Sequence, residues 1–98
     1  MRIFGIDPGT RALGFGVIEV RGGVARHVAH GTVRAPESAP LHERLALIRG
    51  GLVGALEAHA PNVVAVEGLF YARNVKSALT LAHARGVALE VAATLGLP

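Results

Sequence analysis

Apolar positions recur along the chain with two different periods, and the changes of period divide it into six elements. Arg2-Ile3-Phe4-Gly5-Ile6-Asp7 is a short apolar run closed by an acid and reads as a strand. Gly14 to Arg21 and Val24 to Arg34 read as two further strands, and Gly22-Gly23 between them is the dipeptide of a tight hairpin. The three strands predict an antiparallel meander. Pro36 to Pro40 interrupts the pattern, with Ser38 and Pro40 as the start signal of a helix. Leu41, Leu45, Ile48, Leu52, Val53 and Leu56 then recur at helical spacing, and Ala60-Pro61-Asn62 ends the run. Val63 to Glu67 is apolar at consecutive positions up to its final acid, the pattern of a parallel strand inside a sheet and covered on both faces. A second helix is predicted from Ser77 to about Leu95, capped by Asn74 or Ser77. Its Ala-rich face carries Ala78, Leu81, Ala82, Ala88, Val91, Ala92 and Leu95, and Gly96-Leu97-Pro98 stops it.

The order β-β-β-α-β-α, with no internal repeat, predicts one α/β domain over residues 1–98 built on a mixed sheet. It also predicts an unfinished architecture, because a crossover helix ordinarily delivers the chain to another strand and this second helix delivers it to none.

Composition narrows the chemistry. Half the residues are apolar (51%) and 17% are charged over 98 residues, enough to pack a core. No apolar run reaches the roughly 18 residues of a membrane span and the start shows no leader pattern, so no membrane association and a cytoplasmic location are expected. Without cysteine, a bound metal must use oxygen or imidazole ligands. Ten basic residues against seven acidic give +3, and nine of the ten are Arg, whose planar guanidinium matches phosphate; a genome composition that favours Arg over Lys, and Ala and Gly, accounts for the bias equally well.

The candidate chemistry lies in two acids, Asp7 and Glu67, about sixty residues apart, each ending a strand. If those strands pair side by side, the two carboxylates converge on one divalent cation, an arrangement suited to phosphodiester chemistry. Each acid also has a structural reading: Asp7 before Pro8-Gly9 as a turn cap, Glu67 as the partner of Arg73 or Arg85. Hydrolysis by paired metal ions about 4 Å apart needs more donors than two carboxylates. Glu19, Glu37, Glu43, Glu57 and Glu90 read as solvated, and His27, His30, His42, His59 and His83 show no paired metal spacing and read as surface or interface residues. Phe70-Tyr71-Ala72-Arg73-Asn74-Val75-Lys76-Ser77 interleaves aromatic and basic side chains, which suits stacking on bases and neutralising phosphates; packing of Phe70 inward is the alternative. Thr10 and Arg11 are placed to meet phosphate at the first turn, and Gly14 and Gly16 to admit a close backbone or phosphate, or else to mark a bulge.

Gly5-Ile6-Asp7-Pro8-Gly9-Thr10, Gly14-Phe15-Gly16-Val17-Ile18, Val66-Glu67-Gly68-Leu69-Phe70, Ser77-Ala78-Leu79 and Ala84-Arg85-Gly86-Val87-Ala88 together resemble the RuvC family of Holliday-junction resolvases, in order and spacing over the whole chain. The resemblance implies a ribonuclease-H-like fold and a homodimer that nicks four-way DNA junctions in pairs. It also implies junction branch-migration machinery as a partner, and Mg²⁺, with Mn²⁺ as the alternative, held by four acidic or imidazole ligands. Asp7 and Glu67 match the first two ligands; the other two lie on a later helix of the family, and the chain matches only the family's N-terminal part, without the C-terminal strand and helices. The resemblance further places the loop carrying Phe70, Tyr71, Arg73, Asn74, Lys76 and Ser77 beside the active site at the DNA, with Phe70 or Tyr71 as a wedge at the junction centre; Thr10 and Arg11 at the first turn complete the candidate DNA contacts. Two other readings stand beside it: a nucleotide-binding protein of the actin and sugar-kinase type, and a non-catalytic dimerisation or DNA-binding module. The chain alone is expected to be inactive, and either to dimerise through its Ala-rich second helix or to be marginally stable.

Overall fold

In the computed structural model, residues 1–68 and 75–98 are described, with side chains from residue 78 onward in the second stretch. Strand β1 (Arg2–Asp7) pairs antiparallel with β2 (Ala12–Arg21), from Arg2 opposite Glu19 to Asp7 opposite Gly14. A turn of four residues joins them and is tight enough that a Cβ at Gly9 would run into the Ala12 carbonyl oxygen. Strand β2 pairs antiparallel with β3 (Val24–Arg34) through a turn in which Gly22 and Gly23 both have positive φ, the requirement of a type I′ hairpin. The pairing extends to Ala12 opposite Arg34, so β2 begins two residues before the apolar pattern suggests.

Helix α1 (Leu41–His59) starts at Pro40, whose carbonyl accepts from the amides of Glu43 and Arg44. Its N-cap makes no side-chain hydrogen bond, so Ser38 does not cap the helix. The helix ends at Ala60, held in the left-handed region at φ 46. Strand β4 (Val63–Val66) then lies parallel to β1, completing a sheet of order β3-β2-β1-β4. Helix α2 (Val75–Thr94) closes the described chain with a Schellman arrangement: the Leu97 amide donates to Ala92, the Gly96 amide to Ala93, and Gly96 takes φ 71. Asn74 lies outside the described residues, and Ser77 falls inside the helix.

Alternation along the strands separates two faces. Phe4, Ile6, Leu13 and Val17 point to one of them, where Ile48, Leu52 and Leu56 of α1 and Ala88 and Val91 of α2 bury them. The Phe4 and Phe15 rings stack there at 5.0 Å. Both helices pack on this face. Of the expected α2 face, Ala88, Val91 and Ala92 are buried, whereas Ala82 and Leu95 are exposed.

Strand β4 corrects one expectation. It is the outer strand of the four, half-buried at Val63, Val64 and Val66 and exposed at Ala65, because helices cover one of its faces and the sheet lies on one of its edges only. On its free edge the Val64 amide donates to the Pro98 carbonyl at 3.1 Å.

Candidate functional site

The register of β4 against β1 decides where the acids meet, and a clamp at the start of both strands sets that register. The Arg2 amide donates to Asn62 Oδ1 at 2.7 Å, the Asn62 amide donates back to the Arg2 carbonyl, and Arg2 Nη1 donates to the His59 carbonyl at 2.8 Å. The end of α1 is thereby tied to the first residue of β1. From this point the ladder runs Ile3 with Val63 to Ile6 with Val66, and one further bond joins the Glu67 amide to the Ile6 carbonyl at 3.0 Å. Asp7 and Glu67 therefore stand level on adjacent strands, which are about 4.8 Å apart in any sheet.

Their side chains are exposed and in hydrogen-bond contact, and the contact costs charge. The Glu67 carboxyl is raised above its ordinary 4.5, first by its hydrogen bond with Asp7, then by repulsion from the Asp7 charge, and least by burial. Two carboxylates so placed either share a proton or share a cation. No cationic side chain relieves them among the described residues: Arg85 Nε reaches Glu67 at its backbone carbonyl, 3.0 Å away, rather than at its carboxylate. Arg73, the other expected partner, lies outside the described residues.

The space above the pair is open because the neighbouring positions carry almost no side chain. Gly5, Gly14, Gly16 and Ala65 share the face of Asp7 and Glu67, and with them line a shallow cleft of about 610 Å³. Gly14 and Gly16 thus serve as floor, and the ladder between β1 and β2 is regular across them. A hard divalent cation fits this donor set of two carboxylates with open access. No third His, Asp or Glu joins them among the described residues.

The remaining predicted residues separate. Arg11 is exposed, its Nη1 3.2 Å from Glu37 Oε1 in a solvated pair. Thr10 beside it is buried, 7% exposed, and so is withdrawn from the surface. Phe70, Tyr71, Arg73 and Asn74 lie outside the described residues; Lys76 and Ser77 belong to the first turn of α2, where only the backbone is described. One pair escaped the sequence reading. His27 Nε2 and His30 Nδ1 lie 2.9 Å apart, although a spacing of three in a strand predicts opposite faces.

A mixed sheet with a three-strand meander, a parallel fourth strand and acids level at the ends of β1 and β4 defines a protein of the ribonuclease-H-like class. Solved structures agree: the chain superposes with TM-score 0.90 on T. thermophilus RuvC in complex with a Holliday junction substrate, at 34% identity, covering 100% of this chain and 60% of that one. A second Thermus thermophilus RuvC structure gives 0.85 at the same identity, with 61% of its chain covered. The family model for crossover junction endodeoxyribonuclease RuvC matches residues 3–97, and the chain belongs to that family. The Myxococcus xanthus crossover junction endodeoxyribonuclease RuvC is 51% identical over 98 residues, all of this chain and 51% of that protein. Its Acidobacterium capsulatum counterpart is 48% identical over 105 residues, 61% of its length. The chain thus spans about half to three fifths of the relatives it matches.

Proposed function

We propose that the protein to which this chain corresponds is a metal-dependent endonuclease that resolves four-way DNA junctions by paired phosphodiester nicks, acting as a cytoplasmic homodimer alongside branch-migration machinery. The observation that supports this reading most directly is the level pairing of Asp7 and Glu67 over a floor of glycines. In it, Asp7 and Glu67 would hold one Mg²⁺, or Mn²⁺ in its place. The cation supplies a polarised phosphate and an activated water when bound. The chain's own residues do the rest: the acids orient the cation, the Gly14 and Gly16 floor admits the phosphate backbone, and the Arg2–Asn62 clamp keeps the two acids level. Arg11, with Thr10 buried behind it, and Phe70, Tyr71, Arg73, Asn74, Lys76 and Ser77 make the DNA contact.

Two carboxylates leave such a site short of donors, so this chain binds the cation weakly and does not turn over. A nucleotide-binding role on the same turn predicts stabilisation by ATP and no preference for junctions. The test is fluorescence anisotropy with a four-way junction and a linear duplex of matched composition, together with Mg²⁺-dependent cleavage by this chain and by a longer protein that includes it. The longer protein is expected to prefer the junction and cleave it. Asp7→Asn and Glu67→Gln should each abolish cleavage while leaving DNA affinity equal or higher, since each removes a negative charge. Equal affinity for both DNAs, or full cleavage by either variant, overturns the reading.

A further inference from the structure

The contact between His27 and His30 follows from an irregularity in β3. The pairing of β2 with β3 slips between Val17 and Ile18: Val17 faces Ala29, Ile18 faces His27, and Val28 has no partner. In a regular strand, residues three apart point to opposite faces; one extra residue reverses that parity and turns both imidazoles to the same side. His30 sits opposite Gly16, on the face that α1 and α2 leave open, so no side chain from β2 separates it from His27. Both rings are exposed, with centroids 5.1 Å apart and planes tilted by 55°.

We propose that His27 and His30 form a bidentate site for a borderline transition-metal cation, Cu²⁺ or Ni²⁺, separate from the acidic pair. The argument is one of distance. With metal–nitrogen bonds of about 2.0–2.1 Å, two nitrogens at a right angle on one ion lie about 2.9 Å apart, and at a tetrahedral angle about 3.3 Å. His27 Nε2 and His30 Nδ1 are joined by a hydrogen bond of 2.9 Å, one ring donating to the other, and the same separation is that of adjacent positions on a tetragonal or octahedral ion, so the cation takes the place of the shared proton. Both rings are exposed, and once the shared proton is lost they turn to direct their lone pairs to one point. No third His, Asp or Glu joins them among the described residues, so water completes the coordination and the affinity is that of a two-ligand chelate. Imidazole donors favour Cu²⁺ over Ni²⁺ and take little Mg²⁺, whereas the carboxylates of Asp7 and Glu67 also accept hard cations such as Mg²⁺ and Mn²⁺. The site lies two strands from Asp7, about 10 Å across the sheet.

The proposal is tested by titrating the 98-residue chain with CuCl₂ under continuous-wave electron paramagnetic resonance and calorimetry. The expected result is one Cu²⁺ bound with hyperfine splitting from two imidazole nitrogens, and no competition from excess Mg²⁺. His27→Ala and His30→Ala should each weaken binding at least tenfold, because loss of either ligand leaves a single one in place of a linked pair. His27→Gln, which keeps a polar side chain in the strand, should lose as much, and His83→Ala should lose nothing. Binding unchanged in both single-histidine variants, a one-nitrogen spectrum, or equal losses across all histidine variants signifies an adventitious ion only and overturns the assignment.

Discussion

At the scale of single residues, the account turns on two like charges held together. Asp7 and Glu67 were legible because each interrupts an apolar run at its end, where a strand exposes its last residue. Their contact was not, since it depends on a register that the Arg2–Asn62 clamp sets across sixty residues. The raised Glu67 carboxyl has a consequence for stability. The folded chain holds its proton more tightly than the unfolded chain does, so the folded state binds more protons above the ordinary value of 4.5, and stability falls as pH rises through the folded value. Below 4.5 the penalty is absent in both states. Asp7→Asn removes both the hydrogen-bond partner and the charge that raise Glu67. Metal-free Asp7→Asn protein should therefore melt higher than wild type at pH 7 and equally at pH 4, by differential scanning fluorimetry; a lower melting temperature at pH 7 would show that the carboxylates stabilise each other without a cation. The histidine pair was illegible for a different reason: a spacing of three separates two residues on a strand, and nothing in His27-Val28-Ala29-His30 announces the extra residue.

Among the elements, order and type could be read because the punctuation is strong. Gly22-Gly23 and the Pro36 to Pro40 break leave one way to divide the meander from the helix. Boundaries moved where pairing extended an element past its apolar pattern, as at Ala12. Strand β4 misled because consecutive valines indicate cover on both faces, and α1 and α2 supply cover on only one. The two helix ends differ in how they meet the left-handed region: α1 ends on Ala60 with a Cβ at φ 46, α2 on Gly96 without one at φ 71. Substitutions there should act in opposite directions. Ala60→Gly relieves backbone strain and should stabilise by about 0.5–1 kcal/mol, whereas Gly96→Ala should destabilise by about 1 kcal/mol. Urea denaturation of the two variants checks both signs, and a Gly96→Ala protein as stable as wild type would mean that the Schellman end is frayed.

For the molecule as a whole, one sheet face is packed and the other carries the acidic cleft, which leaves the outer faces of the helices and the free edge of β4 as further packing surface. Helix α2 buries Ala84, Ala88 and Val91 and exposes Leu79 and Leu89, at 60% and 45%. With Ala82, Gly86 and Ala93 these form a stripe of small and apolar residues opposite the buried one. On the proposal of a homodimer this stripe is the contact. Sedimentation equilibrium should then find a dimer that Leu89→Arg converts to monomer, while a wild-type chain that stays monomeric throughout the micromolar range contradicts it.

The central claim is that Asp7 and Glu67 act as one cation site. Titration of Mn²⁺ into this chain, followed by the electron paramagnetic resonance signal of the free ion, tests it most directly. The account predicts a single weak site that Mg²⁺ displaces, lost to the same extent in Asp7→Asn, in Glu67→Gln and in the double variant, because a shared ion needs both carboxylates. Full Mn²⁺ binding by either single variant, or losses that add in the double variant, would show that the two acids act separately and contradict it.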